Sequence, residues 1–483
     1  LRIVARLAVS GETLATVRLS RESSVHELRL EILRAAAASG AALGGCTLRL
    51  LSSEGGGFLA EAATLASLDL ADGAVVDVVC SQGVCVVATA SNDCTACLYR
   101  RDGGEHVLTL AGHFGQVYAA VFSPTCHEVV TASEDGTARI WSTQSGECTR
   151  QLLGHTGEVY SAVFSSSGDS VVTASQDHSV KLWDSASGHC RWTFSHAGEV
   201  YLATFSVDDA CVLTASQDRT AKLVSCDSGE CQMTFRGHSA EVYRAEFPPD
   251  GKLAVTASVD GASALLEVVL SATPSRRPTS EAQPGIEFET WSGLASDSIS
   301  EAPPGIEFET WSRLTSEPSV LPTSTAKIWT VETGECRLTL SDHASEVKFA
   351  TFSPDSSLVA TASEDGSAKL WNTNSADCCW TLTAAETVYM AAFSPDSRLV
   401  AIASEDGTAS IWRTETGERT AELNEHEATV TWIAFSADGQ FLVTASWDGT
   451  AKVWSVESGE CLESLEGHAA AVVYVEFGTI ETT

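Results

Sequence analysis

Seven of the twelve histidines, His113, His155, His196, His238, His343, His426 and His468, stand at one position of a sequence repeat. Most are followed by a Ser-x-Asp, such as Ser133-Glu134-Asp135. Serine, histidine and aspartate are the types a hydrolase uses as nucleophile, base and orienting acid. A catalytic histidine is usually singular, whereas seven in register describe a scaffold. No nucleophile elbow accompanies them. Cys94-x-x-Cys97 has no second pair at zinc spacing, and no Gly-Lys loop is present to cradle phosphate. The sequence therefore predicts no catalytic residue, no metal site and no cofactor.

A second set carries more chemistry. The spacing His-x-x-x-Val holds in seven of eight units. The residue after that Val is Tyr118, Tyr160, Tyr201, Tyr243, Lys348, Tyr389, Thr431 or Val473, so five of the seven tyrosines share one position. The residue before it is Gln116, Glu158, Glu199, Glu241, Glu346, Thr387, Thr429 or Ala471. A third set precedes the aspartate: Asn92, Glu134, Gln176, Gln217, Val259, Glu364, Glu405 and Trp447. Aromatic rings beside carboxylates select cationic groups. Copying of one unit would also make tyrosine recur, but copying does not hide the side chains.

The elements that must hold these residues follow from the period. The aspartates fall at Asp93, Asp135, Asp177, Asp218, Asp260, Asp365, Asp406 and Asp448, in steps of 42, 42, 41, 42, 105, 41 and 42. The long step contains an insertion at residues 262–324, and its removal restores the repeat. In the second unit, alternating β-type runs at 117–123, 128–132, 137–142 and 148–153 are separated by turn residues. That pattern predicts four short antiparallel strands per unit. Six to eight such sheets can bury both faces only by stacking radially.

With its Gly-His pairs (Gly112-His113, Gly154-His155, Gly237-His238, Gly467-His468), its strand tryptophans and the literal Trp183-Asp184, the chain resembles the WD-repeat β-propeller family over roughly residues 82–483. The resemblance implies a structural set of turn His, strand Ser, turn Asp and strand Trp in each blade. The sets are His113, Ser133, Asp135 and Trp141; His155, Ser175, Asp177 and Trp183; and His426, Ser446, Asp448 and Trp454. Ala384, Val224 and Tyr99 depart from it, and looser blades are expected there. The resemblance also places the tyrosine and carboxylate sets on the rim of a central channel. The expected protein-binding residues are thus Tyr118, Tyr160, Tyr201, Tyr243, Tyr389, Glu158, Glu199, Glu241, Glu346, Glu134, Glu364, Glu405 and Trp447. Residues 84–111 supply three strands without a first partner, and residues 471–478 one strand without the other three. Eight blades are therefore expected, the last strand completing the first blade and removing the open edge. A seven-bladed ring with one stray unit is the alternative.

Residues 1–80 do not share the repeat. Runs at 2–9 and 13–19 flank Ser10-Gly11-Glu12, a hairpin signal. A helix through 23–37 and strands at 47–51 and 75–79 follow, and this order resembles a ubiquitin-like β-grasp domain. A small α+β cap without that role is the alternative. The fold class expected overall is all-β, an eight-bladed propeller preceded by a small α+β domain. The insertion contains a tandem 20-residue repeat in which Pro-Gly-Ile-Glu-Phe-Glu-Thr-Trp-Ser occurs twice. Its proline and serine density predicts a flexible loop; it is either a bivalent docking motif or an intervening sequence retained in the chain.

Composition limits the partners. With 64 acidic against 29 basic residues the formal charge is -35, which opposes nucleic acid and anionic lipid and favours basic proteins. No apolar run approaches the roughly 20 residues of a membrane helix, and Arg2, Arg6, Glu12 and Arg18 interrupt any signal-peptide pattern. Six of the fifteen cysteines (Cys148, Cys190, Cys231, Cys336, Cys378, Cys461) recur at one repeat position and read as reduced apolar fillers in a cytoplasmic protein. The expected function is a monomeric, non-enzymatic scaffold that binds basic protein segments on its acidic-aromatic face. The two narrower expectations are a substrate-recognition adaptor of the ubiquitin pathway and a cargo adaptor resembling axonemal dynein assembly factors.

Overall fold

The computed structural model describes residues 2–7, 13–18, 46–52, 74–260 and 324–481. The second unit shows how each repeat folds. Val117–Phe122, Glu128–Ser133, Ala138–Ser142 and Cys148–Leu152 form one antiparallel sheet, in that spatial order. The second strand is buried almost throughout, because both its faces pack on neighbouring sheets. The outermost strand exposes Arg150 and Gln151, with Thr149 half-buried beside them, which keeps an open edge polar. Six further four-stranded sheets repeat this arrangement.

The eighth sheet closes the ring. Val472–Glu481 pairs antiparallel with the second half of Ala74–Ser91, which in turn pairs with Thr95–Arg100 and then His106–Ala111. Successive innermost strands pack against one another round the molecule. The closing strand Val472–Glu481 touches the innermost strands Val430–Phe435 on one side and Val117–Phe122 on the other. The result is an eight-bladed β-propeller; blade 1 contains the closing strand, and blades 2 to 8 follow in chain order. Buried Trp141, Trp183, Trp329 and Trp454 fill the spaces between blades with Val and Ala from the second strands.

Ala74–Ser91 is a single strand with two sets of partners. Its first half pairs parallel with Arg2–Leu7 and antiparallel with Cys46–Ser52, while Arg2–Leu7 pairs antiparallel with Thr13–Arg18. The sequence reads separate strands at 75–79 and from 84, broken at Ser81-Gln82-Gly83. Partners on either side keep the break extended, since Gln82 faces Cys46 and Gly83 faces Glu481. A boundary at residue 80 therefore falls inside a strand. The helix expected at 23–37 and the duplicated peptide lie outside the described residues. The strands flanking the insertion, Leu253–Ser258 and Ser324–Thr330, pair in register in blade 5, and Ser324 already belongs to the second of them.

One cysteine expectation changes. Cys190, Cys231, Cys336 and Cys378 are exposed, so they are not apolar fillers. Each opens an outermost strand opposite a bulge, as Cys190 does across from Trp183, and its thiol lies against the carbonyl two residues on. Cys94 sits in a tight turn at φ 70 whereas Cys97 is buried in the next strand with its thiol toward Thr109. No cluster suited to a metal ion occurs among the described residues.

Candidate functional site

Each innermost strand begins with a β-bulge. Val117 pairs with Ser133 but Ala119 pairs with Ala132, leaving Tyr118 as the extra residue. The same shift isolates Tyr160, Tyr201, Tyr243, Lys348, Tyr389, Thr431 and Val473. A bulge re-aims the side chain it releases, here onto the channel rim. The recurring tyrosines are thus the unpaired residues of five of eight equivalent bulges.

The rim geometry is regular over blades 2 to 5. Tyr118 Oη donates to Glu158 at 2.8 Å, Tyr160 to Glu199 at 3.0 Å and Tyr201 to Glu241 at 2.7 Å, each reaching the next blade. Neighbouring rings stand with centroids 5.9, 5.9 and 4.7 Å apart, ending at Tyr243. Burial, then the accepting carboxylate, pushes the Tyr118, Tyr160 and Tyr201 hydroxyls far above their ordinary range. They stay protonated donors and hold the side chains of Glu158, Glu199 and Glu241 in place at the mouth.

Beyond this arc the rim changes. Lys348 Nζ lies 2.6 Å from Glu346 and 2.8 Å from Glu364, and 5.8 Å from the centre of the Tyr243 ring. Burial alone would lower its pKa, but the two glutamates raise it. Two of the expected carboxylates therefore share one cation supplied from within the rim. Tyr389 is half-buried, while Glu134, Glu405 and Trp447 are exposed, Trp447 at 51%. Glu134 also accepts from the Gln116 amide at 3.0 Å. Phe114 was not among the expected residues; it follows His113 and is 91% exposed.

Below the rim the histidines hold the blades. His113 Nδ1 lies 2.8 Å from Asp135, and its Nε2 is 2.7 Å from Thr131 Oγ1, which also accepts from Trp141 Nε1 at 2.8 Å. The hydroxyl joining histidine to tryptophan is thus Thr131, not Ser133. Ser133 instead accepts from the Asp135 amide and donates to the Gly115 carbonyl. Blades 3 and 8 repeat this through Thr173 and Thr444, with Ser175 and Ser446 in the Ser133 role. Burial would raise the Asp177 carboxyl, but hydrogen bonds from Ser179, the Thr156 amide and His155 bring it down to about 2. Burial depresses His113, His155 and His426 in spite of the aspartate beside each.

Thr131→Val keeps the shape and removes both hydrogen bonds, stranding His113 Nε2 and Trp141 Nε1. It should cost about 1–3 kcal/mol, measured from urea unfolding midpoints. A loss no larger than that of an exposed Thr→Val control would contradict the assignment. Blade 7 shows the network's absence: with Ala384 and Ile402 at the histidine and threonine places, Trp412 Nε1 donates to Ser410 instead.

Eight four-stranded blades around one channel, most pinned by a buried His–Asp pair and a shared threonine, define a repeat-built propeller whose innermost strands present side chains to a central mouth. The chain belongs to the WD domain, G-beta repeat family, whose profile matches residues 104–142, 146–184, 188–225, 229–262, 334–372, 376–413 and 417–455, more than half of it. WD40 propellers typically serve as non-enzymatic platforms for protein interaction. No curated protein matches the chain in sequence. Its fold is similar to the crystal structure of the computationally designed Ika8 protein, at 21% identity and a TM-score of 0.58, over 78% of this chain and 97% of that one.

Proposed function

We propose that the protein is a non-catalytic scaffold that binds a basic, extended protein segment across the mouth formed by blades 2 to 5. The observation that carries this reading is the arc of Tyr118, Tyr160 and Tyr201, whose hydroxyls fix Glu158, Glu199 and Glu241 in place. Fixed carboxylates beside ring faces offer ion pairing and cation–π contact to successive Lys or Arg side chains. The formal charge of -35 adds long-range attraction for such partners. Lys348, paired with Glu346 and Glu364, marks where the acidic surface ends.

A fluorescent Lys/Arg-rich probe peptide, followed by anisotropy in low salt, tests this. Glu158→Gln, Glu199→Gln and Glu241→Gln together should weaken binding at least about tenfold, since each exposed pair is worth up to roughly 1 kcal/mol. Salt should weaken the wild type more than the variant. Equal affinity of the two proteins would count against the rim as the docking face.

We further propose that the front segment is a ubiquitin-like docking module. Its support is the strand order, with a central parallel pair between Arg2–Leu7 and Ala74–Ser91 and an antiparallel neighbour on each side. An adaptor role in the ubiquitin pathway rests on that segment; loss of ubiquitin-pathway proteins from affinity purifications of a chain lacking residues 1–73 is the expected result.

A further inference from the structure

The channel is not symmetric below its rim. One position further along the innermost strands, blades 2 to 4 carry Ala119, Ser161 and Leu202, whereas blades 5, 6, 8 and 1 carry Arg244, Phe349, Trp432 and Tyr474. The large residues pack together: Trp432 and Tyr474 have centroids 4.7 Å apart, and the Arg244 guanidinium lies 4.1 Å over Phe349 and 5.7 Å over Trp432. The small ones leave a cavity of about 350 Å³ beneath the tyrosine arc. That is within the range of small-ligand sites.

The cavity's polar lining is specific. Arg244 and Glu246 both face it and form only a loose ion pair of 3.8 Å, with side chains 23% and 31% exposed. Arg244 Nε and Glu246 Oε2 have no hydrogen-bond partner among the described residues, and the other Glu246 oxygen accepts from Thr351 at 3.0 Å. A guanidinium mounted on aromatic rings and lacking a close acceptor is an under-used donor. Three tyrosine hydroxyls at the top already donate to glutamates, so toward the cavity their oxygens can only accept.

We propose that this cavity is a binding site for a flat, uncharged aromatic carboxamide. Its ring stacks among Tyr118, Tyr160 and Tyr201. Its carbonyl oxygen accepts from the Arg244 guanidinium, and its NH2 donates to Glu246 or to a tyrosine oxygen. A cation of the same shape meets Arg244, and an anion meets Glu246 below and Glu158, Glu199 and Glu241 above. A neutral group with a donor beside an acceptor satisfies every wall.

Isothermal titration calorimetry on the full chain with benzamide, benzamidinium and benzoate separates these cases, because the three probes share a shape. Benzamide should bind saturably and at least about tenfold tighter than either ion. Arg244→Met, which keeps a long side chain over Phe349, should weaken benzamide about tenfold or more. Ala119→Leu, which places three more carbons in the cavity beneath the tyrosine arc and leaves Arg244 in place, should weaken benzamide about tenfold or more without lowering the melting temperature appreciably. Absence of saturable benzamide binding, equal binding of either ion, or full affinity in the Ala119→Leu protein would each overturn the proposal. The Glu158/Glu199/Glu241→Gln protein should still bind benzamide, so a failure of the rim reading and a failure of this one are distinguishable.

Discussion

Deleting residues 472–483 should abolish cooperative folding of the propeller, although it removes less than one strand in thirty by count of strands. The closing strand Val472–Glu481 is the innermost strand of blade 1, and its partner there begins at Gly83. Val472 and Val475 are fully buried, and Tyr474 packs on Trp432 of the neighbouring blade 8. Each buried side chain of this size contributes roughly 1.5–3 kcal/mol. Their sum, with the lost ladder, rivals the 5–15 kcal/mol by which a typical protein is stable. The deletion also exposes the edge of Ala74–Ser91, whose Val86, Val87, Ala88 and Ala90 are buried, creating an apolar strand edge prone to aggregation. The truncated chain should show no sharp thermal transition by near-ultraviolet circular dichroism and should elute as aggregate. A synthetic peptide of residues 472–483 supplied in trans should restore the transition. A truncated chain melting within a few degrees of the intact one would show that the ring does not depend on this closure.

Repeat arithmetic made the propeller legible because each blade solves the same packing problem, so the period of 41 or 42 residues reports blade size directly. Blade 5 forms across an insertion that lengthens its loop, since closing a longer loop adds little cost. The tyrosine position was equally legible, yet its cause was not: spacing cannot show that Tyr118 is a bulge residue. The hydroxyl expected in that set was the serine and not the threonine, for a related reason. Thr131 and Ser133 both recur, and only geometry reveals that Thr131 reaches His113 and Trp141 while Ser133 caps the turn. Arg244, Glu246, Trp432 and Tyr474 were missed because attention to what repeats hides what deviates. Arg244 stands where blades 2 and 3 have Ala119 and Ser161, and Glu246 where they have Val121 and Val163. In a repeat protein a lone charge at a small or apolar repeat position is itself a signal. Exposure of the recurring cysteines had no such signal, because their place on an outermost strand follows only from the sheet order.

Glu476, the second glutamate in such a place, should make Glu476→Gln more stable than the wild type above neutral pH and indistinguishable from it near pH 4.5. Burial, only partly offset by hydrogen bonds from Tyr474 and the backbone, raises its carboxyl from 4.5 to about 7. Folding therefore favours the protonated form. Between the two values the folded chain holds the proton more tightly than the unfolded one, so stability from this group is present at low pH and is lost as pH rises through 7. The displacement corresponds to at most about 3 kcal/mol, reduced by whatever screening the channel allows, because the residue keeps some exposed surface. Glutamine retains an oxygen to accept from Tyr474 Oη, which donates to Glu476 at 3.1 Å, and carries no charge to bury. The wild-type profile alone does not isolate this term. His113, His155, His196, His238 and His426 are depressed by burial and lose stability in the opposite direction, as pH falls through their unfolded value of 6.5. Those groups are common to both proteins and cancel in the difference. Melting temperatures from pH 4.5 to 8.5 should give a variant-minus-wild-type difference near zero at the acid end, rising to a plateau of a few degrees above pH 7. A difference that does not change with pH, or a variant less stable at pH 8, would place Glu476 in water and leave the innermost layer of the channel without a buried charge on the closing strand.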